Sequence, residues 1–239
     1  MQLIKRIFRT KPIAEPPDEG KHQGLKRVLN GRDLIAMGLG AIIGTGIFVL
    51  SGVAAARYAG PGVILSFVLS GVTAALAALV YAELTAMFPA AGSAYTYTYT
   101  ALGEIIAWLI GWNLVLEYTV ASAAVALGWS GYMLDLLKPL GVRLPTLLTA
   151  SPFNGGAINL LPVLIIAVIA YAVTAGTKES NRVNKIVVIM KLAAIALFLA
   201  LGCSRFNIAN WRPFLPFGVT GIFRGASIIF FAYIGFDAV

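Results

Sequence analysis

The chain has one cysteine, Cys203, and one histidine, His22, in 239 residues. A single cysteine excludes a disulfide within the chain and a thiolate metal cluster. With only one histidine beside it, zinc chemistry and a Cys/His nucleophilic pair are both poorly supported. Charge is scarce as well. Charged residues make up 12% of the chain, against about 25% in a soluble globular protein, and no paired carboxylates or nucleophile-base spacing is visible, which argues against an enzyme. What is abundant is apolar: 59% of residues are hydrophobic and the mean hydropathy is +0.86.

The apolar residues fall into stretches of the length, roughly 20 residues, that carries a helix across a hydrocarbon core. Leu34 to Ala56 has no charged residue, nor has Tyr58 to Ala82. The expectation is an all-α membrane protein whose transmembrane domain, residues 33–239, holds about six helices near 33–56, 61–88, 103–134, 157–175, 182–203 and 220–239, the last cut short. Residues 1–32 hold Lys5, Arg6, Arg9, Lys11, Lys21, Lys26, Arg27 and Arg32 without the apolar core of a signal peptide, and read as a disordered cytoplasmic tail. Lys178, Arg182 and Lys185 fall on the same side, whereas Arg57, Lys138, Arg143, Arg205, Arg212 and Arg224 fall on the other. The excess places the N-terminus inside. A net charge of +8 does not imply nucleic acid, because the cations lie between apolar spans rather than on a polar surface.

Within the first span, Gly44-Thr45-Gly46 interrupts the apolar run, with Gly38 and Gly40 close by. Small residues can serve helix packing alone. They also lower the cost of unwinding, and unwound backbone at membrane depth is tolerated only where protein buries it or it lines a cavity. The second span carries Glu83, read as structural, and should stop at Pro89. Ala94 to Thr100 alternates Tyr and Thr, a strand by period alone, but an open strand beside a bilayer leaves its edge unpaired, so an interfacial helix is expected.

Two ionisable groups lie inside later spans. Glu117, near the middle of the third, should face the bundle and find an intramembrane partner, structural or functional. Lys191, in the fifth, either snorkels to an interface or acts as a site that exchanges a proton. The sixth segment carries Gly235 and Asp237. Gly-interrupted segments at the first and sixth positions are what an inverted five-helix repeat produces, with half-helix N-termini receiving an anionic group and freed carbonyls receiving a cation. An amino acid carboxylate and ammonium fit that pairing.

The runs GLGAIIGTGIFVLSG, AGPGVILSFVLSG, ALVYAELTAMFPAAGSAYTYTYTALGE, IGWNLVLEY and GASIIFFAYIGFDAV resemble the cationic amino acid transporter family of the amino acid/polyamine/organocation superfamily, from about Gly31 to Val239. The resemblance implies the first five-helix repeat plus a truncated sixth helix of the inverted-repeat (5+5) transporter fold, with helices one and six broken. It implies that Ile43, Gly44, Thr45 and Gly46 meet a substrate carboxylate, and that Phe231, Ala232, Tyr233 and Ile234 supply carbonyls to its ammonium and an aromatic ring over it. Lys191 matches the helix-five lysine of proton-coupled relatives, which favours a proton over sodium as coupling ion, with no other cofactor and no metal. Glu117 matches the LEY run in helix three without an assigned step.

The implied function is proton-coupled uptake of L-amino acids across the plasma membrane by alternating access. Family members usually carry twelve or more spanning helices, so the second repeat is expected to be missing here. The alternative is an inert or partner-requiring half-transporter, or a non-transporting membrane subunit. The partners implied are an amino acid substrate, the lipid bilayer, and a separately encoded second half or small membrane subunit; nucleic acid is not among them.

Overall fold

The structure is a computed structural model and describes residues 9–10, 30–88, 92–174 and 177–235. Most of the basic tail with His22, the expected stop at Pro89, and Asp237 lie outside the described residues. Among the described residues the regular elements are helices and no strand occurs. Apolar runs of this length require that, because in hydrocarbon each backbone amide and carbonyl must be paired within its own segment.

The first span is two half-helices. α1 covers Gly31–Ile42; α2 covers residues 46–59, where π-helical turns at Gly46–Leu50 and Ala55–Ala59 flank Ser51–Ala54. Gly60, at φ +61° and ψ −146°, then adopts a backbone conformation that a Cβ would strain. It opens the short turn Gly60–Gly62 before α3, Val63–Met87.

The Tyr/Thr segment is helical: α4 covers Ser93–Ala101. Its anchor is Tyr97, buried, whose hydroxyl lies 2.8 Å from that of Thr85 on α3 and whose ring meets Tyr81 edge-on at 6.4 Å. The side chains that alternate in sequence are thus sorted by helical position, not by strand face. α5 covers Glu104–Leu137, α6 Leu160–Thr174, α7 Thr177–Cys203 and α8 Gly218–Ile229, which tightens into a 3₁₀ turn at Phe230–Tyr233.

Three stretches, Leu34–Met87, Glu104–Leu140 and Asn184–Cys203, are long and apolar enough to cross a membrane, and Leu160–Thr174 and Gly218–Tyr233 are shorter apolar helices. The first stretch contains α1, α2 and α3 together. Many large apolar side chains point outward, among them Val68, Leu79, Leu116, Val168 and Phe198. Water disfavours such a surface, whereas lipid tails suit it.

The tightest packing surrounds α8. The buried serines Ser66 and Ser70 of α3 donate to the carbonyls of Ile222 and Ala226, each at 2.8 Å. Because 66 faces 222 and 70 faces 226, α3 and α8 run parallel. Along α2 the order is reversed: a Cβ added at Gly221 would strike the Tyr58 carbonyl, one at Gly225 would sit 3.0 Å from the Ala59 Cβ, and one at Gly46 would sit 2.5 Å from the Ala232 Cβ. α2 is therefore antiparallel to α8, and the chain reverses direction at Gly60–Gly62. Small residues and serine hydroxyls let these backbones approach closely, the usual means of helix association where the surroundings are as apolar as the side chains.

Candidate functional site

The helical ladder of α1 ends with the Ile43 amide donating to the Leu39 carbonyl at 2.9 Å. A new helix opens at Gly44, whose carbonyl accepts from the amides of Ile47 at 3.1 Å and Phe48 at 3.2 Å. Gly44, Thr45 and Gly46 thus form a first helical turn, the part of a helix whose amides have no intrahelical acceptor and which carries partial positive charge. Ile43 is buried beside them.

The carbonyl of Gly40, next in the interrupted ladder, accepts from Nζ of Lys191 at 2.9 Å. Lys191 is half-buried on α7. Two turns earlier on the same helix, Asn184 covers Gly40: a Cβ there would lie 2.6 Å from the Asn184 Oδ1. The break in the first span and the lysine of the fifth are therefore one structural unit.

The second interruption lies against the first. After the 3₁₀ turn the chain leaves the helix at Ile234, φ −57° and ψ 138°, and Gly235 takes φ +109°, a region open to glycine. Its position is 3.2 Å from the Ala41 backbone when a Cβ is added. Ile234 donates to the Phe231 carbonyl at 3.3 Å, so the carbonyls beyond Phe231 form the last turn, where acceptors outnumber donors and the partial charge is negative. Ala232 is buried on Gly46. A donor-rich helix start and an acceptor-rich helix end are thus in contact, an arrangement suited to a ligand carrying a carboxylate and an ammonium on neighbouring atoms.

Not all the expected residues converge here through their side chains. The Tyr233 hydroxyl donates to the Phe67 carbonyl of α3 at 3.0 Å, so its ring tethers the end of α8. Thr45 packs on α5, where a Cβ at Gly128 would lie 2.8 Å from its Cγ2. Glu117 is half-buried and engaged in a polar or electrostatic contact, about 16 Å of helix away from Gly128.

Sequence reading passed over several residues that hold the site. Ser66, Ser70 and Asn184 have partners more than a hundred positions away, and nothing in their local spacing marks them. One signal was available: polar side chains inside otherwise apolar runs. A cavity of about 390 Å³ also opens one turn past the break, between α2 and α5, lined by Phe48, Gly52, Arg57, Gly128, Tyr132 and Asp135 among others. Tyr132, one of these lining residues, donates to the Phe48 carbonyl.

Comparison with known proteins gives the same direction. The family model described as amino acid permease matches residues 29–239. The chain is 46% identical to the methylthioribose transporter of Bacillus subtilis over 99% of its own length and 52% of that protein. It is 46% identical to the branched-chain amino acid permease BcaP of Bacillus subtilis, over 98% of this chain and 51% of that one. To cationic amino acid transporter 1 of Arabidopsis thaliana it is 36% identical, over 100% of this chain and 40% of the relative. These relatives are named as transporters and permeases, not as enzymes. The chain spans about half the length of the curated relatives it matches, or less.

Proposed function

Because this chain belongs to the amino acid permease family, we propose that it is a proton-coupled carrier component for L-amino acids, working in the plasma membrane with its N-terminus cytoplasmic. The observation that carries this reading is the contact of the two helix interruptions at Gly46 and Ala232, with Lys191 on the carbonyl that the first interruption frees. The amides of Gly44, Thr45 and Gly46, next to Ile43, receive the substrate carboxylate. The ammonium goes to carbonyls of the Phe231, Ala232, Tyr233 and Ile234 turn. Each half of the zwitterion then meets the helix end of opposite partial charge.

Lys191 exchanges the coupling proton. In its charged state the ammonium holds Gly40, and so α1, against α7. A neutral amine donates more weakly, which loosens α1 at the point where the substrate sits. Proton binding and the state of the site are linked through one backbone carbonyl.

The test is uptake of radiolabelled amino acids into liposomes holding the purified chain, with and without an inward proton gradient. Accumulation that follows the gradient in the native chain and is insensitive to it in Lys191→Ala is the expected result. Full pH dependence in Lys191→Ala would remove the coupling assignment. A second reading of this chain is a partner-requiring half-transporter or a non-transporting membrane subunit. No uptake from folded, inserted chain, restored by adding the second half of a relative, would select it.

A further inference from the structure

We propose that residues 204–217, the segment between α7 and α8, form a membrane-interface anchor that binds anionic phospholipid headgroups through Arg205 and Arg212 while its aromatic ridge sits among the upper acyl chains. This inference needs only a membrane-embedded chain, not the transport reading. The apolar stretch Asn184–Cys203 is 20 residues long, about 30 Å of helix, so α7 completes a crossing of the hydrocarbon near Cys203. The following residues, SRFNIANWRPFLPF, combine two arginines and four aromatic rings with no acidic residue.

One side of this segment is fixed to the protein. The Phe214 carbonyl accepts from the Gly62 amide at 3.0 Å, Leu215 packs on Gly62, and Pro216 on Gly60. The segment is thereby held at the α2–α3 corner. Its other side faces outward: Phe206 is 64% exposed, Ile208 75% and Phe217 46%. The rings are nonetheless organised. Trp211 stacks on Phe214 with centroids 6.0 Å apart and planes 13° from parallel, and it meets Phe206 edge-on at 6.2 Å. Asn207 steadies the turn beneath them by accepting from the Ala209 amide at 2.9 Å.

An ordered apolar ridge in water is unfavourable, and arginines in hydrocarbon are more so. The headgroup layer accommodates both: aromatic rings partition there, and guanidinium groups pair with phosphate in a bidentate geometry. A protein covering the same ridge would have to supply a carboxylate for each arginine. An anionic lipid brings phosphate and acyl chain together.

The experiment uses the full chain in vesicles with Trp108, Trp112 and Trp129 replaced by Phe, leaving Trp211 as the emitter. Brominated phosphatidylglycerol should quench Trp211 more strongly than brominated phosphatidylcholine at equal mole fraction. Arg205→Gln and Arg212→Gln should each lower that preference roughly five-fold. If the triple replacement does not fold, the quenching lost on Trp211→Phe in the native chain gives the same reading. Equal quenching by both lipids, quenching by aqueous iodide only, or protection from all quenchers would each overturn the proposal, the last pointing to a protein partner.

Discussion

Gly44 and Gly46 sit two positions apart, and their surroundings differ completely. A Cβ at Gly44 meets nothing within 4 Å, whereas one at Gly46 overlaps the Ala232 backbone. Gly46→Ala should therefore destabilise the chain by about 1–3 kcal/mol through overpacking, while Gly44→Ala should change stability by less than about 0.5 kcal/mol. Equilibrium unfolding of both variants in mixed micelles checks this, and equal losses would mean that the helix contact at Ala232 is not where the structure has it. Tyr233→Phe removes one interhelical hydrogen bond and leaves the ring in place. A loss of about 0.6 kcal/mol is expected, the average for such bonds in a membrane protein, with substrate affinity affected only through the end of α8 that the hydroxyl tethers.

At the scale of elements, the pairing of α3 with α8 rests on two serines. Ser66→Ala and Ser70→Ala should each cost about 0.6 kcal/mol, because each frees a carbonyl that remains bonded within its own helix. Reversible unfolding of the single and double variants measures it, and a double variant as stable as the native chain would show that glycine packing alone holds the pair. Much at this scale was legible in the sequence. The Gly-Thr-Gly run announces an interruption because glycine marks itself, and the apolar lengths announce helices. The Tyr/Thr alternation misleads by period, and only the requirement to pair backbone groups in lipid recovers α4. Less was legible of what crosses between elements. Lys191 stands out as a charge in an apolar run, but its acceptor is the carbonyl of Gly40, and a backbone atom carries no residue type. Asn184 and the two serines look like ordinary polar residues until the helices that receive them are in place.

For the whole molecule, the orientation proposed above rests on the distribution of cations, and the single cysteine makes it testable. Cys203 is exposed at the end of α7, on the side opposite the N-terminal tail if α7 crosses fully. A membrane-impermeant maleimide applied to intact cells should label the native chain. It should fail to label Cys203→Ala carrying Gln2→Cys until the cells are opened. Labelling of the tail cysteine from outside would invert the orientation assigned by the positive-inside rule.

The spacing of the α3 and α8 contacts has a mechanical consequence. Donors four residues apart on one helix engage acceptors four residues apart on the other, so the two rods mesh like a vernier with two matching marks. A slide of one or two residues unseats both hydroxyls at once. The next matching position is a full four residues away, about 6 Å along the axis, and reaching it would carry Gly221 and Gly225 off Tyr58 and Ala59 of α2, on which they pack. α3 and α8 are thereby geared to move as one body, with the interruptions beside Gly44 and Gly235 lying outside the meshed stretch.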